Sequence, residues 1–225
     1  MAVGEYNVNS GNLALWHFNG DFVDAMGSYN LSATSTVNSV LGKYGSGAAD
    51  FAGGYLSGGP VPIAATDEFS VGCWFNADTM PTSGNVFGLV SRQDGSDRQY
   101  QLNIFNNSGT IQPYWGTSVN ANGTITAAAP FIIGTSNWYW IVGTRESAGT
   151  GTIRVYVNAV LVGTNTNAGN NGAPTSNTFV GANGNTGTAP FDGRIDEAFI
   201  IKRCLKQKDL ADYYSWATGK GLGTL

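Results

Sequence analysis

Charged side chains are scarce in this sequence, and their balance argues against one large class of partners. Asp, Glu, Lys and Arg make up 12% of the 225 residues, and the formal net charge is −4. A chain this acidic offers no broad basic surface, so we expect no nucleic-acid partner. The one basic cluster consists of Lys202, Arg203, Lys206 and Lys208. We interpret it as a solvent-exposed stretch beside the strand that precedes it.

Histidine and cysteine are also rare. His17 is the only histidine, which excludes metal sites built from several histidines. The two cysteines, Cys73 and Cys204, both lie in apolar runs. This favours buried free thiols. A disulfide between them is the alternative, because separation in sequence does not determine distance in the fold.

Long apolar runs are missing as well. None approaches the roughly 20 residues that cross a membrane. Residues 1–10 have neither the basic region nor the hydrophobic core of a Sec signal peptide. We therefore expect a product made in a cytoplasm, with no membrane insertion, that would need another route to reach the outside of a cell.

Turn-forming residues and period-two patterns are what the sequence does have. It contains 32 glycines, and the apolar residues of 69–75 and 152–157 alternate as in half-buried strands. Only residues 208–216 show helical spacing. A chain of this length can bury one large core, so the sequence predicts a single all-β domain with one short helix near its C-terminus.

Residues 191–201, with the sequence FDGRIDEAFII, are predicted to form a strand buried on both faces. Asp196 and Glu197 are adjacent within it, and a period of two sends them to opposite faces. One of the two acids must therefore point inward or along a sheet edge. A buried acid needs a counter-charge, a cation or several hydrogen-bond donors.

The order of several motifs over residues 12–216 resembles the laminin-G-like domains of the concanavalin A-like lectin-glucanase superfamily, of the stand-alone kind found in bacteriophage virion proteins. The motifs are LALWHFNGDFVD, GAADFAGGYL, FSVGCWFN, NWYWIVGT, IRVYVN, FDGRIDEAFI and LKQKDLADYY. The resemblance implies a two-sheet antiparallel jelly-roll sandwich. We expect an N-terminal arm at residues 1–11 and a flexible tail at residues 217–225. The chain departs from the family at Asn158-Ala159, where Asn-Gly is common, and over residues 76–135, which match loosely.

The hydrolytic relatives carry acids in an E-x-D-x-x-E or E-x-D-x-E pattern on one strand, and this sequence has no such pattern. Its four glutamates stand apart from one another, whereas glycoside hydrolysis needs two cooperating carboxyl groups. The single histidine and the lack of a nucleophile elbow leave serine-type catalysis without support. We therefore expect no enzymatic activity.

The resemblance implies a structural calcium ion held by Asp24 and Asp196. Backbone carbonyls near residues 19–21 and water would complete the six to eight oxygen ligands. In the alternative interpretation, Asp24 caps a turn. Asp196 would then bond Arg194, Arg203 or backbone amides.

A glycan site needs an aromatic platform and a few planar polar groups. The candidates come from the loosely matched region: Trp115, Tyr114, Tyr100, Arg92, Asp94 and Arg98. For each aromatic residue, packing in the core is the alternative.

The function predicted first is that of a non-enzymatic virion structural protein, a phage head decoration or a tail or fibre component. It would assemble with other virion proteins or with copies of itself, and could adhere to cell-surface glycans. Its location would then be the virion. The alternative is a carbohydrate-binding lectin module of a secreted or cell-surface protein, located outside the cell.

Overall fold

The structure, a computed structural model, describes residues 11–95, 97–118, 124–126, 133–146, 151–166, 168–184 and 187–219. Residues 1–10 of the predicted arm and 220–225 of the predicted tail lie outside these ranges, whereas Ala217 is the last residue of the C-terminal helix. The strands are β1 Asn12–Trp16, β2 Leu31–Ala33, β3 Val37–Val40, β4 Ala48–Ala52, β5 Leu56–Gly58, β6 Phe69–Ala77, β7 Val86–Asp94, β8 Asp97–Asn107, β9 Thr110–Ser118, β10 Thr124–Thr126, β11 Tyr139–Arg145, β12 Ile153–Val157, β13 Val160–Asn165, β14 Thr178–Val180 and β15 Asp192–Ile201. The helix is α1 Gln207–Ala217.

The strands form two sheets. Sheet A has the order β13-β12-β11-β6-β15-β4-β3, with β1 added beside β15, and sheet B has the order β10-β9-β8-β7-β14-β5-β2. The strand pairs that the structure describes are antiparallel. The predicted all-β, two-sheet antiparallel sandwich with a short C-terminal helix is confirmed.

The main core lies between the two sheets, and alternate residues of each strand build it. In β6 and β12 the inward residues are Phe69, Val71, Cys73, Phe75, Ile153, Val155 and Val157. These are the positions that the period-two patterns of the sequence predict. Strand β15 is buried along most of its length, as its apolar composition predicts.

One close approach between the sheets fixes the middle of the core. The indole of Trp115 on β9 reaches across to sheet A, where its Nε1–H donates to the carbonyl of Thr144 at 3.1 Å. A Cβ atom at Gly143 would overlap the Trp115 ring. Glycine is therefore required at this position, because any side chain would push the two sheets apart.

Helix α1 covers the outer face of sheet A. Leu210 and Tyr213 of the helix pack against Trp74 and Trp140 of the sheet in a second apolar cluster. The Tyr213 and Trp140 rings lie 4.5 Å apart between centroids, and the Tyr44 hydroxyl donates to the carbonyl of Ala217 at 2.5 Å. The helix thus covers the part of this face formed by β6, β11, β12 and the end of β15. In the part of the chain that the structure describes, no helix is long and apolar enough to span a membrane.

The turn between β12 and β13 consists of Asn158 and Ala159, and both have positive φ angles of 50° and 63°. Two consecutive left-handed residues define the type I′ turn that matches the twist of an antiparallel hairpin. The Asn158 carboxamide oxygen accepts from the backbone N–H of Trp140 at 2.9 Å. The departure from Asn-Gly therefore leaves the turn geometry intact.

Cys73 and Cys204 are both buried and free. Cys73 lies on central strand β6 between the sheets, and Cys204 lies between β15 and α1. The prediction of buried free thiols is confirmed, and the alternative of a disulfide is wrong.

Candidate functional site

A β-bulge in β15 places two adjacent acids inside the protein. The register between β15 and β6 shifts between Asp196 and Phe199, and Glu197 has a φ angle of +48°. A bulge adds one residue to a strand and breaks the strict alternation of faces. Both carboxyl groups are consequently buried, with residue exposures of 0% for Asp196 and 2% for Glu197.

Each acid of the pair has a different partner. Glu197 faces His17, whose Nδ1 lies 2.8 Å and 3.0 Å from the two carboxylate oxygens, and this contact raises the pKa of His17 above its usual value. The Oδ2 atom of Asp196 accepts from the backbone N–H groups of Lys43 at 2.8 Å and Tyr44 at 2.9 Å. Its Oδ1 atom is buried and has no hydrogen-bond partner among the described residues. Burial raises the pKa of Asp196 to about 7.

Asp24 is surrounded by backbone donors. Its Oδ1 accepts from the N–H groups of Leu15 and Met26, and its Oδ2 accepts from those of Ser28 and Tyr29, at 2.9 to 3.1 Å. Four N–H dipoles pointing at one carboxylate compensate its charge as a cation would. Asp24 therefore closes a loop, as the alternative interpretation holds, and its surroundings do not fit a calcium ligand.

Asp196 likewise follows the alternative interpretation in which backbone amides bind it. The described residues contain no group of three or more His, Cys, Asp or Glu side chains placed to hold a metal ion. A calcium ion at Asp196 stays a prediction, with the buried Oδ1 atom as the one free acceptor.

Two of the predicted glycan-binding aromatics lie in the core. Trp115 and Tyr100 are both fully buried between the sheets, and the Tyr100 hydroxyl bonds the Thr178 hydroxyl at 2.8 Å. Neither ring has a face open to solvent on which a sugar could stack. The prediction of a surface platform is wrong for these two residues, because the alternation of β8 and β9 turns them inward.

Arg92 is also unsuited to a surface site. Its guanidinium is buried and donates to the carbonyls of Ser176 at 3.0 Å and Pro174 at 2.7 Å, and to the Gln99 carboxamide oxygen at 2.5 Å. These bonds anchor the loop after residue 171 to the end of β7. Arg92 is therefore a structural residue, and its prediction as a glycan ligand is corrected.

Three further predicted residues are only partly buried. Asp94 and Arg98 lie at the end of the β7–β8 hairpin. Tyr114 pairs with Asn103 across β8 and β9, and its ring meets Phe105 edge to face at 6.4 Å. The structure thus separates Tyr114 from the charged hairpin end by several residues of strand.

The outer surface of sheet B carries a set of amide side chains that we call the amide face, defined by Gln93, Gln101, Asn103 and Asn183. Along β8, Tyr100, Leu102 and Ile104 point into the core. Gln101 and Asn103 alternate with them and therefore point outward. Tyr114 and Phe105 stand beside Asn103 in the same register and supply aromatic surface at its border.

Several polar atoms of the amide face have no hydrogen-bond partner. In the described part of the chain these buried atoms are Gln93 Oε1, Gln101 Oε1, Asn103 Oδ1, Asn103 Nδ2 and Asn183 Oδ1. A buried amide without a partner costs roughly 1–3 kcal/mol, and folded proteins leave few such groups. The four side chains are almost fully covered, with Asn103 0% and Gln101 5% exposed, so a ligand cannot reach these atoms without a movement of the chain that covers them.

Residues 182 and 183 cross over one side of the amide face and cover it. The backbone of Ala182 and Asn183 lies so close to Gly88 of β7 that a Cβ there would overlap it. The Ser91 hydroxyl donates to the Ala182 carbonyl at 3.0 Å. Gly88 is paired with Asn103. The covering residues therefore lie directly beside Asn103, which is the most buried side chain of the amide face.

Sequence reasoning missed Gln101 and Asn103 although the strand that holds them was recognised. The signal was their alternation with Tyr100, Leu102 and Ile104. Once Tyr100 is assigned to the core, both amides must lie on the opposite face. The aromatic residue type of Trp115 and Tyr100 carries no information about the face on which each ring lies.

Comparison with known proteins gives one family and a shared fold. A family model described as the concanavalin A-like lectin/glucanases superfamily matches residues 49–211. No curated protein matches the sequence.

Solved structures share the fold at low sequence identity. Domain 4 of AbnA, an extracellular arabinanase from Geobacillus stearothermophilus solved with arabinotriose, has 19% identity and a TM-score of 0.70, and the match covers 91% of this chain and 98% of that domain. The binding domain of Paraclostridial mosquitocidal protein 1 has 14% identity and a TM-score of 0.73, with 93% and 53% covered. The receptor binding domain of botulinum neurotoxin type G has 14% identity and a TM-score of 0.63, with 92% and 51% covered. This chain therefore spans about half the length of the two toxin domains.

Proposed function

Because the chain belongs to the concanavalin A-like lectin/glucanases superfamily, we propose that it is a non-enzymatic carbohydrate-binding module whose ligand is held on the outer surface of sheet B, at Tyr114 and Phe105. One observation carries this proposal: these two aromatic rings meet edge to face on that surface and are only partly buried.

The aromatic border of the amide face supports the same function. Tyr114 and Phe105 are half-buried, which leaves part of each ring for the apolar C–H surface of a sugar. The match to an arabinanase domain solved with arabinotriose is consistent with a sugar ligand.

The position of the acid pair supports binding without catalysis. Glycoside hydrolysis needs two carboxyl groups that flank the bond to be cleaved. Asp196 and Glu197 are buried on β15 of sheet A, in contact with His17 and with backbone amides. The amide face lies on the other sheet, so this pair cannot flank a ligand held there.

The test is a glycan array followed by calorimetric titration of the best ligand. We expect Phe105→Ala and Tyr114→Ala each to weaken binding by about tenfold or more, which corresponds to about 1.4 kcal/mol. Asn38→Ala, which removes an exposed amide from β3 of sheet A, is the matched control and should bind like the wild type. The proposal fails if no glycan binds, or if both variants bind as tightly as the control.

As a second function we propose that the chain is a virion structural protein, part of a phage head decoration or of a tail or fibre. Edge strand β13 supports a role in assembly, because Val160 and Leu161 are 56% and 45% exposed and the strand carries no charged residue. An uncharged apolar edge strand is a template for pairing with another chain. The protein would then be located in the virion, whereas as a lectin alone it would be extracellular.

Calcium remains part of the proposal in a restricted form. The free Oδ1 atom of Asp196 could bind a cation, which would offset the cost of burying its charge. Asp24 is left out of this site, since backbone amides occupy both of its oxygens.

A further inference from the structure

We propose that Asn19 is a site of spontaneous chemical modification, at which the side-chain amide is lost as ammonia and an aspartate or an isoaspartate is formed. Asn19 is followed by Gly20, and both residues are exposed in the segment between β1 and β2. The reaction uses only the chain itself and water. It alters the residue that holds the loop of residues 42–47 in place.

Three donors of that loop surround the side-chain carbonyl oxygen of Asn19. The backbone N–H groups of Ser46 and Gly47 donate to Oδ1 at 2.7 Å and 3.0 Å, and the Ser46 hydroxyl donates to the same atom at 3.3 Å. N–H groups aimed at a carbonyl oxygen stabilise the negative charge that this oxygen gains when a nucleophile adds to the carbon. The arrangement therefore activates Cγ of Asn19 for attack.

The nucleophile is the backbone nitrogen of Gly20. Its attack on Cγ closes a five-membered ring within the chain, so no separate molecule has to be brought into position. No atom beyond the chain neighbours lies within 4 Å of the place where a Cβ of Gly20 would be. Within the described ranges, neither the Gly20 N–H nor the departing Nδ2 of Asn19 donates a hydrogen bond. Both groups are thus free to react.

The ring closes and opens in two steps. The Gly20 nitrogen gives its proton to water or hydroxide and forms a bond to Cγ of Asn19. The bond between Cγ and Nδ2 then breaks, and Nδ2 takes up a proton and leaves as ammonia, so that a cyclic imide remains. Water adds to one of the two imide carbonyls. Opening of the ring at Cγ gives aspartate, and opening at the main-chain carbonyl carbon gives isoaspartate, in which the chain runs through Cγ.

Two other Asn-Gly pairs in the described part of the chain lack this activation. The Oδ1 atoms of Asn171 and Asn183 are buried and have no hydrogen-bond donor. Asn171 Nδ2 donates to the carbonyl of Ala64 at 3.2 Å, and the nitrogen of Gly172 donates to that of Arg98 at 2.8 Å. The departing group and the nucleophile of this pair are therefore both occupied, which makes it an internal control.

The two products differ in their effect on the fold. Aspartate keeps a side chain of the same length, and its carboxylate oxygens accept from the same N–H groups. Isoaspartate adds one carbon atom to the main chain at residue 19 and moves the acceptor away from the loop of residues 42–47. In that loop the backbone N–H groups of Lys43 and Tyr44 bind buried Asp196. Isoaspartate is therefore expected to release the loop, whereas aspartate leaves it in place.

The experiment incubates the purified chain, folded and unfolded in urea, at neutral and mildly alkaline pH, and maps the products by peptide mass spectrometry. Conversion is read from the mass gain of an amide that becomes a carboxyl group, and isoaspartate from a carboxyl methyltransferase specific for it. In the folded chain we expect Asn19 to react roughly tenfold or more faster than Asn171 and Asn183. In urea the three sites should react at similar rates, and Asn19 no faster than in the folded chain.

Variants separate the reaction from its effect on the fold. Asn19→Asp supplies one product directly, releases no ammonia at this site and should keep the Tm of the wild type. The isoaspartate form, separated by chromatography from the incubated wild type, should have a lower Tm. Asn38→Asp, at an exposed residue of β3, is the control for the added negative charge.

Loss of the selectivity between the sites overturns the proposal. If Asn19 reacts no faster than Asn171 in the folded chain, or if folding slows it as much as it slows the buried pairs, its carbonyl is not activated. If Asn19 reacts with the expected selectivity and the isoaspartate form keeps the Tm of the wild type, the modification site stands and release of the loop is overturned.

Discussion

The two buried acids of β15 differ in how their negative charge is compensated. Glu197 has a side-chain partner in His17, whereas Asp196 has two backbone N–H groups and one oxygen without a partner. Burial therefore favours the neutral form of Asp196, and its pKa rises from the ordinary value of 3.8 to about 7. This residue should dominate the pH dependence of stability near neutrality.

The sign of that dependence follows from linkage. Between about pH 4 and pH 7 the native state holds the Asp196 proton while the unfolded chain releases it, so the free energy of unfolding falls as pH rises. His17 acts in the same direction: its pKa is raised, so its contribution is present below pH 6.5 and is lost as pH rises through the higher value. We predict that Asp196→Asn gains stability relative to the wild type by an amount on the order of a few kcal/mol between pH 5 and pH 8.

Urea denaturation of both proteins at several pH values, in buffer with a chelator, measures this difference. Asn can keep the acceptor for Lys43 and Tyr44 and has no charge to bury. A difference that does not change with pH would contradict the prediction. Asp24→Asn is the contrasting variant, because an amide accepts at one atom only, and we expect it to be less stable than the wild type throughout.

The same variant tests calcium. If Asp196 binds the ion, added calcium should raise the Tm of the wild type and leave that of Asp196→Asn unchanged. Equal Tm values with calcium and with chelator in the wild type would remove the calcium proposal.

At the level of the elements, the β12–β13 hairpin depends on a turn whose two residues are both left-handed. Asn158 tolerates a positive φ better than other residues with a Cβ, and its side chain also accepts from Trp140. We predict that Asn158→Ala lowers the free energy of unfolding by about 1–3 kcal/mol, since it loses the hydrogen bond and strains the turn.

Asn158→Gly separates the two contributions. Glycine adopts the positive φ without strain but cannot accept from Trp140. Its stability in urea should lie between those of the wild type and Asn158→Ala. Equal stability of Asn158→Ala and the wild type would show that the turn does not constrain the hairpin.

Strands with a clear period were predictable from the sequence, and the local exceptions to that period were not. The alternation over residues 69–75 and 152–157 indicated both the strands and their inward residues. The bulge at Glu197 could not be read from the sequence, because a period of two sends adjacent acids to opposite faces. The faces on which Trp115 and Gln101 lie likewise depend on the register of β8 and β9, which belong to the region where the resemblance is loose.

For the molecule as a whole, the two outer faces of the sandwich have different surfaces. Helix α1 covers much of sheet A, and sheet B presents the amide face. Edge strand β13, with Val160 and Leu161, belongs to sheet A. Assembly through β13 would therefore leave the amide face free, and the two proposed functions are compatible in one molecule.

Light scattering of the purified chain tests assembly. If β13 pairs with a second copy, we expect a mass that is a multiple of 23.6 kDa for the wild type and the monomer mass for Leu161→Lys, which places a charge on the edge. Val23→Lys, at another exposed apolar residue, is the control and should keep the wild-type mass. A monomer in every case would contradict self-assembly through β13 and leave glycan binding to be judged on its own evidence.

The two buried thiols give the molecule a pair of built-in reporters of motion. A thiol reagent can reach Cys73 only when the sandwich opens, because this residue lies on the central strand of sheet A and faces the other sheet. Cys204 lies in the segment between β15 and α1, which Ser70 of β6 holds through hydrogen bonds with Arg203 and Leu205, and its thiol becomes accessible when that segment detaches. Rates of alkylation at the two positions would thus report separately on opening of the sandwich and on release of this segment, in the unmodified chain and without any attached probe.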